Sequence, residues 1–326
     1  MSAPVSPVDM QEMRLKMTVP VDWRRPNEGK SYDMYWSDSS QYGQLYPRPT
    51  EAEIASFYQV QDYYTHGNNV APKSKQAKQP RFFAWLLRRL SWQIDKSVYI
   101  SADWFHQHTS TQPQRILDLG CGDGALLVKM RDAGHTVFGI EPDPDARKVA
   151  LAQGLNVVDG TGENLPEEIK SQKFDAVFMT HVLEHALHPI QVIENVFELL
   201  NDGGRFIIEV PNNAAQGLEE AGVLWHWLDV PRHLNFFTPE SLRNMCKMAG
   251  FGIQATEFRG YTRQFDQEWR EVEQKIYDRY IKYGVSPSEL PERNSLRQSW
   301  QLLRKTYFAN DETKYDSVRV IAVKDA

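Results

Sequence analysis

Apolar and polar residues alternate in blocks along the middle of the chain. From Arg115 to about Phe258, short apolar runs are separated by longer amphipathic stretches, a rhythm that predicts a parallel sheet with helices on both faces. The run from Ser317 to Lys324 predicts a further strand. The six earlier strands are predicted in RILDLG, TVFGIE, LNVVDG, FDAVFMT, RFIIEVP and GIQATEF. The pattern therefore predicts an α/β fold with a seven-stranded, mostly parallel sheet.

Glycine and proline mark the ends of the predicted helices. Gly134 follows ALLVKMRDA as a C-terminal cap, and Gly203–Gly204 are predicted to end the helix in IQVIENVFELLND. Thr238 is predicted to cap the next helix, with Pro239 at its first position. These breaks fit the strand–helix alternation.

About 55 residues lie between the sixth and seventh predicted strands, far more than an ordinary connection. Apolar residues at helical spacing predict two helices, separated by GVSPSELPE. The residues are Phe265, Trp269, Val272, Ile276 and Tyr280 in the first helix, and Leu296, Trp300, Leu303 and Tyr307 in the second. We expect this insertion, 260–316, to cap a site or to form the contact of a homodimer.

The first 112 residues are aromatic-rich and show no strand–helix alternation, so we expect an irregular segment that serves as a lid or substrate-capping region. A core at 113–259 and a last core strand at 317–326 complete the predicted division. Tyr63, Tyr64 and His66 lie in the lid region, where they either close a pocket and exclude water or pack as ordinary aromatic residues.

Composition sets limits on partners and compartment. The chain has 326 residues, 41% hydrophobic and 25% charged, with a net charge of −6, so no overall positive field recruits nucleic acid. Cys121 and Cys246 are too few for a disulfide framework or a cysteine-based zinc site. No run approaches the roughly 18 apolar residues of a membrane span, and the N-terminus has no signal-peptide core. We expect a cytoplasmic protein.

One basic stretch, KSKQAKQPRFFAWLLRRLSW at 73–92, contains lysines and arginines but no acidic residue. Its apolar residues predict a helix with one apolar face, formed by Phe83, Leu86, Leu87, Leu90 and Ile94. We favour a helix that caps the site. Transient contact with a membrane or lipid-like substrate is the second reading, and nucleic acid is third.

The stretch RILDLGCGDGALL raises the question of what its glycine-rich turn holds. Gly120, Gly122 and Ala125 fit the dinucleotide fingerprint loosely, with Glu141 as the acidic ribose partner. Asp118 and Asp123 flank the turn, however, and no Lys or Arg occurs between residues 116 and 128. Like charges about 4 Å apart cost on the order of 4 kcal/mol at an effective dielectric of 20. The charges therefore favour a cationic ligand without phosphate over a nicotinamide dinucleotide.

Five motifs in order resemble those of the class I S-adenosylmethionine-dependent methyltransferases. They are ILDLGCGDG, VFGIEPD, GTGENLP, FDAVFMTHVLEHALHP and LNDGGRFIIEVPN. The chain is most similar to the small-molecule branch that includes the ubiquinone-biosynthesis O-methyltransferases and methyltransferases of natural-product and cell-envelope clusters. WLDVPRHLNFFTPESL and YGQLYPRPTEAEIASFY resemble one bacterial subgroup of that branch. Some relatives carry a zinc-binding cysteine cluster that is missing here, so no metal is predicted.

The resemblance implies a Rossmann-like fold, S-adenosylmethionine as cofactor, and a set of binding residues. The glycine loop is expected to approach the methionine part, with Asp118 near its amino group. Glu141 is expected to accept both ribose hydroxyls, and His181 to lie near the methyl-bearing sulfur. Thr161 stands where relatives often have Asp. The full predicted cofactor set is Asp118, Gly120, Cys121, Gly122, Gly124, Glu141, Pro142, Asp143, Thr161, Gly162, Glu163, His181 and Tyr64.

Histidines near the predicted carboxyl ends of the strands are the candidate general bases. His185 either accepts a hydroxyl proton or holds the start of the next helix, and His233 and His181 are the other candidates. Arg232 either pairs with an acceptor carboxylate or phosphate or anchors its loop through a salt bridge. The predicted substrate contacts are Tyr63, His66, Trp225, His226 and Arg232.

These observations together indicate a methyltransferase that acts on a small molecule, with a hydroxyl oxygen as the favoured acceptor. N- or C-methylation of a sugar, lipid or peptide is an alternative. A cofactor-binding scaffold without activity is another, and a dehydrogenase is disfavoured by the acids of the loop.

Overall fold

A computed structural model describes residues 3–25, 29–58, 81–292 and 295–325. Its strands are β1 (Arg14–Val19), β2 (Tyr32–Ser37), β3 (Tyr42–Tyr46), β4 (Arg115–Leu119), β5 (Thr136–Ile140), β6 (Val157–Val158), β7 (Phe174–Thr180), β8 (Leu200–Pro211), β9 (Asn235–Phe237), β10 (Phe251–Arg259) and β11 (Ser317–Lys324).

The α-helices surround these strands. They are α1 (Glu51–Phe57), α2 (Arg81–Ile94), α3 (Ala102–His108), α4 (Ala125–Asp132), α5 (Pro144–Ala152), α6 (Glu167–Lys170), α7 (Pro189–Leu199), α8 (Gln216–Ala221), α9 (Pro239–Met248), α10 (Gln267–Lys282), α11 (Leu296–Thr306) and α12 (Asp311–Lys314). Short 3-10 helices occupy Leu183–His185, Gly222–Leu224, His226–Leu228, Thr262–Phe265 and Pro287–Glu289. Within the described ranges, no helix is both long and apolar enough to cross a bilayer.

The main sheet has seven strands in the order β10-β11-β8-β7-β4-β5-β6. The last strand, β11, runs antiparallel to both neighbours, and the pairs β8–β7, β7–β4, β4–β5 and β5–β6 are parallel. The predicted seven-stranded, mostly parallel α/β fold is confirmed. Since the carboxyl ends of β4, β5, β7 and β8 share one edge, the residues that follow them are brought together there.

Helices cover both faces of this sheet. Strand β7 is buried on both sides, which explains why its apolar residues do not alternate with polar ones. Val177 and Met179 pack into the core on the side of α7 and α9, whereas Ala176 and Phe178 pack into a second cluster with Phe105 of α3. A strand buried on both faces reads as an uninterrupted apolar run.

One predicted helix end is wrong. Helix α7 ends at Leu199, and Gly203 and Gly204 lie within β8, which begins at Leu200. Gly203 adopts a φ of +76°, and the β7–β8 register shifts between Phe174 and Ala176. The glycine pair therefore accommodates an irregularity in a strand.

The N-terminal region is not irregular, contrary to our expectation. Strands β1, β2, β3 and β9 form a four-stranded antiparallel sheet in that order. A Cβ on Gly43 of β3 would lie 2.7 Å from Cε3 of Trp36, so glycine lets the indole cross the neighbouring strand. Because β9 comes from the middle of the chain, this sheet fastens the N-terminus to the segment beside the main sheet's carboxyl edge.

The insertion contains two main helices, α10 and α11, as predicted, although Phe265 belongs to the short 3-10 helix before α10. Trp269, Ile276 and Tyr280 of α10 pack into a core shared with the N-terminal sheet. Helix α2 forms over the basic stretch as predicted. Its Leu87 packs with α11 and with Thr262–Phe265.

Two outcomes for α2 differ from expectation. Its inner side contacts the insertion, and Phe83, which we placed on the apolar face, is half exposed. Residues 73–80 of the basic stretch lie outside the described residues.

Buried ion pairs join the N-terminal segment to the loop before β9. Arg232 makes a two-pronged contact with Asp22, at 2.9 and 2.8 Å, and also contacts Asp229 at 3.0 Å. Arg24 contacts Asp229 at 2.9 Å. Burial raises the pKa of Asp229, but the charges of Arg232 and Arg24 outweigh it and hold that pKa far below its ordinary value. These charges form a buried clamp.

We predict that Asp22→Ala lowers the free energy of unfolding by about 3–5 kcal/mol, because it removes one of the carboxylates that pair with the buried Arg232. Urea unfolding measures the change. Asp38→Ala is the control, since Asp38 pairs with Arg14 on the surface, where both side chains are more than half exposed, and no measurable change is expected. Equal effects of the two substitutions would contradict a stabilising clamp.

Candidate functional site

The turn after β4 combines three glycines with left-handed backbone angles. Gly120, Gly122 and Gly124 have φ values of +73°, +55° and +83°. A Cβ on Gly120 would lie 2.4 Å from Cγ2 of Val182, and one on Gly124 would lie 2.3 Å from Cδ1 of Leu155. A Cβ on Gly122 would meet no atom within 4 Å. The first and third glycines therefore allow close packing, and the second faces open space that a ligand can occupy.

Two buried carboxylates lie at the same edge, one near the end of β4 and the other directly after β5. Asp118 is 4% exposed and Glu141 is 5% exposed. The Glu141 carboxylate accepts hydrogen bonds from the backbone N–H groups of Gly122 and Asp143, each at 2.8 Å. Its oxygens keep further acceptor positions for ribose hydroxyls.

No Lys or Arg side chain forms an ion pair with either of these two carboxylates in the part of the chain described. Burial and the charge of Glu141 raise the pKa of Asp118 to about 8, and burial also raises the pKa of Glu141. A ligand cation would relieve this repulsion. The pocket edge thus fits a cationic ligand without phosphate, as the loop sequence predicts.

The neighbours of these carboxylates have structural roles of their own. Asp143 caps α5 by accepting from the backbone N–H of Asp145 at 2.9 Å, and Pro142 is exposed beside it. Cys121 is buried, and burial, with the charges of Asp118 and Glu141, raises the pKa of its thiol. These three residues lie next to the carboxylates, and their predicted contacts with the cofactor stay predictions.

The segment after β6 folds into a tight turn. The Thr161 hydroxyl accepts from the backbone N–H of Asn164 at 3.0 Å, and the Glu163 carboxylate accepts from the backbone N–H of His188 at 2.6 Å. A Cβ on Gly162 would lie 2.8 Å from Cγ1 of Val192. The adenine contacts expected of this segment stay a prediction, and the two side chains stabilise local backbone.

His181 follows β7 with a φ of +55°. Its ring nitrogens lie 3.4 Å from Glu184 and 3.3 Å from Glu209. Burial disfavours the charged ring, but the contacts with the two carboxylates prevail and raise the pKa of His181 to about 9. An imidazolium cannot accept a proton, so this pKa argues against His181 as the general base, and its catalytic role stays a prediction. Its expected place near the cofactor stays a prediction.

His185 ends the 3-10 helix Leu183–His185. Its Nδ1 lies 3.0 Å from the backbone carbonyl oxygen of Arg232 and 3.0 Å from the Tyr58 hydroxyl. Because a carbonyl oxygen only accepts, a hydrogen on Nδ1 satisfies this contact, and in that tautomer the lone pair lies on Nε2. This is the tautomer that a base acting through Nε2 needs.

His233 lies beside this residue, with ring centroids 4.8 Å apart. Burial, with the charge of His185, lowers the pKa of His233 to about 4, so its ring is neutral. One ligand-type atom each of Glu184, His185 and His233 lies within 4.8 Å of the others. We assign no metal to this cluster.

Glu184 itself is 1% exposed, and neither of its oxygens has a hydrogen bond among the described residues. Burial raises the pKa of Glu184, but contacts with His181 and the charge of His185 prevail and lower it. Glu184 is therefore a fixed negative charge beside both histidines.

No pattern in the sequence pointed to the residue that holds this loop, Asn235. The Asn235 amide donates to the carbonyls of Glu184 and Ala186, at 3.3 and 2.6 Å, and its oxygen accepts from the Tyr42 hydroxyl at 2.6 Å. Arg48 also reaches the Asn235 oxygen, at 3.1 Å. Asn235 thereby ties the His185 loop to the N-terminal sheet.

The loop from 225 to 232 differs from the predicted acceptor surface. Every guanidinium nitrogen of Arg232 is engaged by Asp22, Asp229 or a backbone carbonyl, so Arg232 anchors its loop and is not available to an acceptor. Trp225 is buried in the core shared with the N-terminal sheet, which removes it from the predicted substrate contacts.

Trp227, absent from the predicted site, stacks on His181 with ring centroids 5.0 Å apart. His226 stacks on Trp227, and burial lowers the pKa of His226 to about 4. Tyr63, Tyr64 and His66 lie outside the described residues.

The cofactor edge of a methyltransferase-type α/β protein is defined here by three features. They are a parallel sheet, a glycine turn that faces open space, and two buried acids that form no ion pair with a Lys or Arg among the residues the structure describes. The family model described as "Methyltransferase domain" matches residues 79–256, more than half of the chain. The chain belongs to this methyltransferase-domain family, and it is an S-adenosylmethionine-dependent methyltransferase.

The curated relatives are consistent with that assignment. The ubiquinone biosynthesis O-methyltransferase of Psychrobacter arcticus is 31% identical over 185 residues, covering 51% of this chain and 71% of that protein. The protein of the same name from Chromobacterium violaceum is 30% identical over 171 residues, covering 49% of this chain and 73% of that protein. The chain is also similar to the solved structure of a putative sarcosine dimethylglycine methyltransferase from Galdieria sulphuraria. The match covers 73% of this chain and 85% of the other, with 15% identity and a TM-score of 0.48.

We predict that Glu141→Ala weakens binding of S-adenosylhomocysteine roughly 10- to 100-fold, because a charged acceptor of two hydroxyls is removed. Calorimetric titration measures the affinity. Glu141→Gln is the matched control: its amide retains the size of the side chain and one acceptor oxygen, and we expect an intermediate loss. Unchanged affinity in the Ala variant would contradict the ribose assignment.

Cofactor affinity is also expected to depend on pH through Asp118. Its raised pKa of about 8 means that it is mostly protonated at neutral pH, whereas a ligand ammonium group needs the carboxylate. Affinity for S-adenosylhomocysteine should therefore rise between about pH 6 and pH 8, by at most about tenfold per pH unit, and level off above the pKa. In Asp118→Asn we expect a lower affinity that does not change with pH over this range. A flat wild-type profile would show that Asp118 does not titrate on binding.

Proposed function

We propose that this methyltransferase transfers the methyl group to a hydroxyl oxygen of a small-molecule acceptor, with His185 as the proton acceptor. The observation that carries the proposal is the contact between His185 Nδ1 and the Arg232 carbonyl oxygen, 3.0 Å away: a hydrogen on Nδ1 satisfies this contact and leaves the Nε2 lone pair for a proton. The names of the two curated relatives support an oxygen acceptor.

The binding of the cofactor falls to the residues at the carboxyl edge of β4 and β5. Asp118 and Glu141 would hold its cationic and ribose parts, and Gly122 leaves the space for it. When bound, S-adenosylmethionine supplies an electrophilic methyl group on a sulfonium. Alignment of the acceptor with that methyl can contribute roughly 7–11 kcal/mol through orientation alone.

The neighbours of His185 favour it over the other two histidines. His181 already carries a proton between Glu184 and Glu209. His233 is neutral, but its pKa of about 4 makes it a weak base. Glu184, buried and negative, lies next to His185 and would stabilise the imidazolium that forms when a hydroxyl proton moves to Nε2.

His233 would then help to position the ring of His185 by edge-to-face packing, with ring centroids 4.8 Å apart. Tyr58 contacts the same Nδ1 from α1's C-terminal end. The proposed roles are therefore a base, a fixed counter-charge and two positioning groups.

We predict that His185→Gln lowers kcat for a hydroxyl acceptor by about 10²–10⁴-fold, the usual contribution of a general base, while the affinity for S-adenosylhomocysteine stays near the wild-type value. An acceptor panel of phenols, catechols, sugar hydroxyls and amines, assayed with wild-type enzyme, identifies the substrate for the comparison. The pH–rate profile of the variant should lose the limb that rises with pH.

Tyr58→Phe is the matched control, because it removes one contact of His185 Nδ1 and leaves the Arg232 carbonyl in place. We expect a loss of less than about tenfold. If His185→Gln turns over a hydroxyl acceptor within threefold of wild type, the base assignment is wrong. If the wild type methylates only amines, the proposed acceptor atom is wrong.

A further inference from the structure

Helix α2 presents aromatic side chains to solvent on the side opposite its packed side. Phe82, Trp85 and Trp92 are 61%, 55% and 70% exposed. At 3.6 residues per turn these three fall within about 80° of one another around the helix axis. Leu87 and Leu90, which pack on the protein, lie on the other side. We name Phe82, Trp85 and Trp92 the aromatic face.

The charges around the aromatic face are positive. Helix α2 contains no acidic residue in its 14 positions. Arg88 and Arg89 are both exposed. The Arg89 guanidinium lies 5.7 Å from the Trp85 ring, and Arg88 pairs with Asp266 at the surface, at 3.1 Å. On a chain with a net charge of −6, this is a local basic surface around exposed rings.

We propose that the aromatic face binds the headgroup region of a bilayer that contains anionic phospholipid, with α2 lying in the plane of the surface. Tryptophan rings favour the membrane–water interface, and exposed arginines beside them attract anionic headgroups. A helix of 14 residues is about 21 Å long, too short to span the hydrocarbon layer. Its other side is held by α11 and by Thr262–Phe265, which fixes the aromatic face outward.

The same packing connects the aromatic face to the candidate site. Helix α2 rests on Thr262–Phe265, and the Arg263 guanidinium of that segment lies 4.9 Å from the Trp227 ring. Trp227 in turn stacks on His181. Binding of this surface to a bilayer would bring the site close to acceptors dissolved in the lipid. That consequence rests on the proposed function, whereas the binding itself does not.

Flotation of the full chain with vesicles tests the proposal without any acceptor. We expect partitioning onto vesicles of phosphatidylglycerol and phosphatidylcholine to exceed that onto pure phosphatidylcholine by about tenfold or more, and to fall when salt is raised. A triple variant, Phe82→Ser with Trp85→Ser and Trp92→Ser, should lose at least about tenfold of the partitioning. Arg88→Gln with Arg89→Gln should remove the preference for the anionic lipid.

Tyr307→Ser with Phe308→Ser is the matched control, since these exposed rings follow α11 and lie outside the aromatic face. It should bind vesicles as the wild type does. Thermal stabilisation by S-adenosylhomocysteine, unchanged in all variants, shows that the fold is intact.

Two results would overturn the proposal. One is that the wild type does not float with anionic vesicles, or that the triple variant floats equally well. The other is that light scattering shows a dimer that the triple variant converts to a monomer, because a second copy of the chain would then cover the aromatic face.

Discussion

The electrostatic problem posed by Asp118 and Glu141 governs the arrangement of this protein. Both carboxylates are buried at the carboxyl edge of the sheet, and no Lys or Arg among the described residues pairs with either. Burial and the charge of Glu141 raise the pKa of Asp118 to about 8, so Asp118 is mostly protonated at neutral pH until a ligand cation favours its ionised form. The glycine turn follows from the same requirement, since Gly122 leaves the space that such a ligand fills.

Beside this edge, the buried carboxylates are paired with positively charged side chains. His181 is held as an imidazolium between Glu184 and Glu209, and Arg319 contacts Glu209 at 2.7 Å from the far side. Among the described residues, Asp118 and Glu141 therefore have no ion pair with a Lys or Arg, whereas Glu184 and Glu209 have the charged ring of His181 between them. In the proposed function, His185 is therefore the ring that accepts the proton.

The N-terminal sheet supplies the rigidity that this arrangement needs. Asn235 of β9 holds the backbone of the His185 loop, and the Arg232–Asp22 clamp fixes the segment just before β9. The catalytic side of the pocket is thus positioned by a part of the chain that lies outside the cofactor-binding core. We therefore expect that a substitution in the N-terminal segment can change activity even when the substituted residue contacts neither the cofactor nor the acceptor.

The seven core strands were predictable because short, largely apolar runs alternate with amphipathic stretches, and the cofactor edge because its glycines and acids are close in sequence. The remaining features depend on long-range contacts. Asp22 and Arg232 are 210 positions apart, so their pairing has no local signature. The charge of His181 depends on Glu209, which belongs to another strand. Strand β9 has three residues, too few to show an alternation of apolar and polar positions, and it is recognised as a strand because it pairs with β3.

The central claim is that the two acids select a cationic, phosphate-free nucleoside. Thermal stabilisation in the presence of millimolar ligand tests it most directly, with S-adenosylhomocysteine and NAD compared on the same protein. The account predicts a raised unfolding temperature with S-adenosylhomocysteine and no change with NAD. Stabilisation by NAD, or by neither compound, would contradict it.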